Sequence, residues 1–167
     1  LLFHCELKNL GYVFRVKSPS SPKSILSYYA SEFPDDLEEF DVTIKRFFTD
    51  KATNIMKSQS DVYRYINPSK NTPHFYELLR KKHSHLYFLQ FRVVKIKTAE
   101  NTYEYLITNL PFSFTLDDIR ECYHWRWGIE ISFRYLKHAA GLLYFHSKQP
   151  EFLKQEIYSR LILYNFG

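Results

Sequence analysis

Four polar side chains stand in a fixed order toward the C-terminal end of the chain: Tyr123, Arg126, Glu130 and Lys137. On a helix turning about 100° per residue they fall within about 60° of one another. The neighbouring arc carries Cys122, Trp125, Ile129, Phe133 and Leu136 and reads as a core face. Such a helix would offer a phenol, a guanidinium, a carboxylate and an ammonium in one row. That set suits phosphate chemistry. Glu130 is a hard oxygen ligand for Mg2+ or Mn2+. Arg126 can grip a phosphate through two parallel hydrogen bonds, Lys137 adds a point charge, and Tyr123 can donate its hydroxyl to a phosphate oxygen. Geometry leaves a second reading open. Arg126 and Glu130 are an i,i+4 pair, so the row could equally be a salt-bridge ladder on a solvated helix face.

The spacing Y-x2-R-x3-E-x6-K, with the stretch YHWRWGIE from Tyr123 to Glu130, resembles the C-terminal signature of IS4-type transposases, the DDE recombinases with an RNase H-like core. The flanks are similar as well. Tyr105–Pro111 looks like the strand and turn ahead of the signature helix. Leu142 to Asn165 looks like the closing helical segment, and Gly11–Lys17 like the strand that follows the second catalytic Asp. The resemblance is strongest over 103–167 and weakest over 18–85.

This resemblance implies an α/β fold: the C-terminal part of an RNase H-like core with a β-rich insertion. It divides the chain into a partial core (1–33), a basic β-rich insertion (34–111) and C-terminal helices carrying the signature (112–167). It implies a two-metal site for phosphoryl transfer, built from two Asp and one Glu and holding two Mg2+ or Mn2+ ions. Glu130 would be the third carboxylate, both catalytic and metal-binding. Tyr123, Arg126 and Lys137 would lie against DNA near the cleaved end. The intact enzyme would cut double-stranded DNA at transposon ends and join the freed 3′ hydroxyl to target DNA. It would act as a dimer on DNA in the prokaryotic cytoplasm.

One departure matters. In the family both catalytic Asp lie ahead of the segment that Leu1 begins. Asp35, Asp36, Asp41, Asp50 and Asp61 all follow the Tyr12–Val16 strand, so none matches by order. With no initiating Met, the chain is expected to start inside a larger protein and to be catalytically inactive alone. The alternative is a truncated product that binds DNA or blocks the full protein without cutting. A third reading is an interaction domain whose polar stripe is only a salt-bridge ladder.

The elements that must position the row follow from local pattern. A short helix is expected over 1–10 with Gly11 as its C-cap, then a strand at Tyr12–Val16 and a loop at Lys17–Pro22. Ile25–Phe33 is weakly helical. Phe40–Phe48 and Leu86–Lys97 read as strands, and Tyr103–Thr108 closes a hairpin with the latter across the polar turn 98–102. Residues 49–74 look loop-rich, and His74–His83 suggests a short basic helix. Thr115 is an N-cap with Asp118 three residues on. The helix it opens should run to about His138 with Gly141 as its stop, and a last helix should follow Ser147 and Pro150.

The 167 residues suit one core with an insertion. Aromatic residues are abundant at 19%, and Tyr63, Tyr65, Phe75 and Tyr76 are candidates for stacking on an unpaired base. Two distant cysteines, Cys5 and Cys122, argue against a zinc ribbon or a disulfide scaffold. The acidic cluster Asp35, Asp36, Glu38, Glu39 reads as a solvated turn, and His83 with His85 as a surface pair. No apolar run approaches the ~20 residues that span a bilayer. The net charge of +5 is uneven: residues 42–100 hold 12 Lys/Arg against 4 Asp/Glu, or +8, while residues 1–41 hold 4 against 7, or −3. The basic middle segment points to a polyanion, most simply nucleic acid.

Overall fold

The computed structural model describes residues 1–34, 36–67, 72–138 and 141–166. It divides the chain into two compact units, Leu1–Ile119 and Arg120–Gly167.

In the first unit a five-stranded mixed sheet runs in the order β1-β5-β4-β2-β3. The strands are β1 (Val13–Val16), β2 (Phe40–Thr49), β3 (Tyr63–Tyr65), β4 (Leu86–Ala99) and β5 (Thr102–Thr108). The expected hairpin forms: β4 and β5 pair antiparallel, with Arg92 opposite Thr108, and a register shift between Lys97 and Ala99. The turn places Asn101 at φ 57°. β2 lies antiparallel along the other side of β4 with Phe47 opposite Phe88. β1 pairs with β5, so the 1–33 segment shares its sheet with strands of the 34–111 segment.

Strand alternation sorts the side chains onto two faces. One face carries Phe40, Ile44 and Phe48 from β2, Leu89, Phe91 and Val93 from β4, and Ile107 from β5, all buried. Residues from α1 (Leu2–Lys8), the 3-10 turn Ile25–Glu32 and α3 (Pro73–Lys81) join the same core: Cys5, Leu26, Tyr29, Phe75 and Leu79. Much of this core is aromatic. Phe3 meets Phe48 edge-on with ring centroids 5.4 Å apart, and Phe33 stacks on Phe40 at 5.4 Å. The other face is buried at its β4–β5 end, through Val94, Ile96, Leu106 and Thr108, and open at its β2–β3 end, where Phe47 and Phe88 are exposed.

Several local expectations are corrected. α1 is capped by Asn9 rather than Gly11. Asn9 takes the left-handed conformation at φ 52°, which a short polar side chain tolerates. Gly11 serves close approach instead, because a Cβ there would sit 3.3 Å from Leu110 Cδ2. Residues 49–74 hold more structure than their polarity suggests. β2 continues through a short helix, α2 (Asn54–Ser58), into β3, which pairs parallel to it. Thr53 caps α2, its Oγ1 accepting from the Met56 amide at 3.2 Å. Phe75, named for stacking on bases, is fully buried, and Tyr76 is half-buried and donates its hydroxyl to the Ile66 carbonyl at 3.4 Å.

The second unit holds most of α4 (Leu116–His138) and all of α5 (Pro150–Phe166). Gly141 follows α4 at φ 70°, the left-handed stop that favours glycine. Arg160 ties the connection to α5 through ion pairing with Glu156 and a hydrogen bond to the Gly141 carbonyl. The Glu156 carboxylate also accepts from His146, at 2.8 Å to Nδ1 and 3.1 Å to the amide. The arc expected to be a core face of α4 is open. Trp125 is 67% exposed, Ile129 56% and Phe133 58%. No helix among the described residues is long and apolar enough to cross a membrane.

Candidate DNA-contact row on the signature helix

The row depends on where α4 begins. Thr115 and Asp118 form the expected capping box: the Asp118 amide donates to Thr115 Oγ1 at 3.2 Å, and the Thr115 amide donates to Asp118 Oδ2 at 2.7 Å. The Thr115 hydroxyl also donates to Asp118 Oδ2 at 2.7 Å, and these two donations from Thr115 hold the Asp118 carboxyl below its ordinary range, the hydroxyl contributing most. Immediately upstream, the turn 110–114 is clamped from the sheet by Arg92. Its Nε donates to Asp41 Oδ1 at 3.1 Å and its Nη2 pairs with Asp41 Oδ2. The remaining donors go to the carbonyls of Leu110 (3.3 Å), Pro111 (2.9 Å) and Phe114 (3.0 Å). The Phe112 ring lies 5.0 Å from the guanidinium.

Within the row, three of the four groups are joined. Arg126 Nη1 pairs with Glu130 Oε1, and Arg126 Nη2 donates to the Tyr123 hydroxyl at 3.1 Å. The same guanidinium lies 4.9 Å from the Tyr123 ring centroid. Tyr123 is 3% exposed, Arg126 is half-buried, and Glu130 is exposed. The Arg126 Nε is buried without a hydrogen-bond partner among the described residues. Lys137 is exposed in the last turn of α4, where a cation also complements the helix dipole. The phenol, the guanidinium and the carboxylate thus form one chain along α4, and Lys137 stands beyond it in the last turn.

The model of the family described as Transposase DDE domain matches residues 3–166. The chain belongs to that family. It is 34% identical over 73 residues to the putative transposase InsL for insertion sequence element IS186A of Escherichia coli K12, a match covering 42% of this chain and 20% of that protein. The same figures hold for the transposase for insertion sequence element IS421 of Escherichia coli. The chain therefore spans about a fifth of the length of these relatives. No solved structure matches it.

Other residues of this DDE transposase chain fall as follows. Asp35 lies outside the described residues; Asp36 and Asp61 are exposed, Asp41 is held by Arg92, and Asp50 pairs with His85 at 3.0 Å. Glu38 pairs with Lys97 at 3.0 Å, which together with its hydrogen bond lowers the Glu38 carboxyl and raises the Lys97 ammonium. Glu39 Oε1 accepts from the Lys97 amide at 2.6 Å. The acidic turn is thus an ionic latch on β4. This also changes the meaning of the basic middle segment: Arg46 pairs with Glu32, Arg92 with Asp41 and Lys97 with Glu38, so acids of residues 1–41 meet part of its charge. Arg92 falls in the strand expected at Leu86–Lys97, and its partner Asp41 lies outside any local pattern. The signal was there in one form: an Arg on a strand whose flanking residues are apolar must be paired to be buried.

Proposed function

We propose that this chain is the C-terminal part of the catalytic domain of an IS4-type transposase with an RNase H-like core, whose whole protein cuts DNA at transposon ends and transfers the strand by metal-dependent phosphoryl transfer. The observation that carries the reading is the joined Tyr123–Arg126–Glu130 chain on one helix stripe, in a chain that the family matches from end to end. In this reading Glu130 is the third carboxylate, and Tyr123, Arg126 and Lys137 contact the DNA backbone. The partners are double-stranded transposon-end and target DNA and a second transposase copy, in the bacterial cytoplasm.

Arg126 is the pivotal group. Its planar fork already holds a carboxylate, which has the geometry to be replaced by a phosphate. A DNA phosphate arriving there would compete with Glu130 for Nη1 and release that carboxylate. Tyr123, held by the other end of the fork, would keep the guanidinium oriented. Lys137 would meet a neighbouring phosphate as a point charge.

Transposases of this family generally use divalent metal ions, expected here as Mg2+ or Mn2+. The residues present do not fit a two-ion site by themselves. Glu130 is the single carboxylate of the row and is paired with Arg126, and no group of three or more His, Cys, Asp or Glu among the described residues could hold an ion. This supports the proposal that the chain alone is inactive, and it favours a second reading for the isolated chain: a DNA-binding module without cleavage.

Binding of a fluorescent duplex carrying a transposon end tests both readings. Arg126→Ala should weaken binding by about tenfold, the loss expected of a charge-assisted contact. Glu130→Gln should leave binding intact or improve it, since it frees Arg126. Unchanged affinity on Arg126→Ala would remove the phosphate role.

A further inference from the structure

Two guanidiniums lie over tyrosine rings of the 3-10 turn Ile25–Glu32, and they differ in their counter-ions. Arg46 on β2 stands 5.4 Å from the Tyr29 ring centroid and pairs with Glu32. Arg64 on β3 stands 3.2 Å from the Tyr28 ring centroid, and among the described residues no carboxylate pairs with it. Arg64 lies directly opposite Phe48 in the parallel β2–β3 register, so it shares the core face of the sheet. It is half-buried there. Beside it the core encloses a cavity of about 200 Å³. The rings of Phe3, Phe48 and Phe91 and the side chains of Leu89 and Ile107 line it. Tyr28, 60% exposed, stands where the cavity meets solvent. Among the described residues that line it, Arg64 is the one that carries a charge.

We infer that this cavity is a binding site for a small aromatic carboxylate, with the ligand ring among the core rings and its carboxylate on Arg64. Size sets the first limit. An apolar cavity of about 150 Å³ stays dry and admits benzene, so this one holds a single ring with a short substituent. Charge sets the second. A cation on a core face without a partner is costly, and an anion bound to it relieves that cost. A guanidinium lying over a ring keeps its N–H donors in its own plane, where two of them can meet a carboxylate in parallel. The Arg46 group shows the completed arrangement of guanidinium, tyrosine ring and carboxylate, with Glu32 as the acid. At Arg64 the ligand supplies the acid. Wall chemistry sets the third limit. Phe3 already meets Phe48 edge-on with centroids 5.4 Å apart, and a ligand ring can join such a cluster by the same edge-to-face contacts. The site lies apart from the signature row and does not depend on DNA being the partner.

The test is a methyl NMR titration of the 167-residue chain with three probes: benzoate, benzyl alcohol and acetate. Benzoate should shift the Leu89 and Ile107 methyls saturably, because the ring current of a ligand inside the cavity falls on them. Benzyl alcohol, with the ring but no charge, should bind about tenfold more weakly, the difference expected of a charge-assisted contact. Acetate, with the charge but no ring, should leave both methyls unmoved. Arg64→Gln should lower benzoate affinity to that of the alcohol and leave the alcohol's own affinity unchanged. The comparison of the three probes on the wild-type chain stands even if that variant does not fold. The inference is overturned if benzoate moves neither methyl, which would mean that the chain's own side chains fill the space. It is equally overturned if the wild-type chain binds benzoate and benzyl alcohol alike, or if Arg64→Gln binds benzoate as the wild type does.

Discussion

Arg92 on β4 and Asp41 on β2 share a two-point ion pair under the turn that launches the signature helix, and Arg92 is 4% exposed. Neither residue belongs to the signature. Their pair fixes the carbonyls of Leu110, Pro111 and Phe114 one step before the Thr115 cap. The turn that precedes the Thr115 cap is therefore held by a buried guanidinium that the strands supply.

Removing Arg92 should be costly. Arg92→Ala leaves the partly exposed Asp41 carboxylate and three carbonyls without their donor, and leaving such groups unsatisfied costs about 1–3 kcal/mol. Urea denaturation should show that loss. Hydrogen exchange should show its place: the amides of Phe114 and Ile119, bonded to Pro111 and Thr115, should exchange faster than those of β2. A Phe114 amide protected as in the wild type would show that the turn holds itself.

The capping box should respond to acid. The Asp118 carboxyl is depressed in the folded chain by the Thr115 hydroxyl and amide. A depressed carboxyl stabilises the fold above its unfolded value, and that stabilisation is lost as pH falls through the lower folded value. The Thr115 amide resonance should therefore shift below the ordinary aspartate range, and the start of α4 should fray there. Asp118→Asn should remove that titration. A Thr115 resonance that does not move between neutral pH and the acid limit of folding would refute the bond.

Legibility of the chain in its sequence follows the range of the forces involved. Thr115 and Asp118 act on each other three residues apart, and their box was readable. The hairpin Leu86–Thr108 was readable for the same reason, since alternation and a polar turn are local. β3 was not. Its three residues form a strand only because β2 supplies the edge through Phe47–Thr49. Arg92 could be placed on a strand, but its partner lies 51 residues away, beyond any periodicity argument. The apolar arc of α4 shows the converse limit. Its periodicity is real, yet Trp125, Ile129 and Phe133 are exposed, because a stripe states that burial is favourable and does not supply the surface that buries it. The signature row was readable in type and spacing, and the structure adds that Arg126 is shared by Tyr123 and Glu130.

Ion pairing within the first unit should flatten the salt dependence of DNA binding. Residues 42–100 hold 12 Lys/Arg, but Arg46, Arg92 and Lys97 face Glu32, Asp41 and Glu38. Each phosphate neutralised contributes a slope of roughly −0.9 to log K against log salt on a duplex. A slope demanding all of the segment's cations is therefore not expected. Lys45→Ala, at an exposed cation, should reduce the slope by about one if it meets a phosphate. Lys97→Ala should leave it unchanged, because that ammonium is already committed to Glu38. A slope lowered equally by both changes would mean that the latch opens on DNA.

The Arg126–Glu130 pair should matter little for stability and much for binding. Side chains that are 40% and 53% exposed lie in water-screened surroundings, where an i,i+4 helix pair is worth about 0.3–0.5 kcal/mol. Arg126→Ala should therefore move the thermal midpoint only slightly, and Tyr123→Phe should leave it nearly unchanged because the hydroxyl's partner is that same guanidinium. Duplex affinity should separate the variants. Arg126→Lys keeps the charge but cannot reach a carboxylate or phosphate with two parallel donors while also holding Tyr123, so it should recover only part of what Arg126→Ala loses. Full recovery by lysine would mean that charge alone is read at this position. A large fall in thermal midpoint with Arg126→Ala would mean that the row braces the helix rather than contacting DNA.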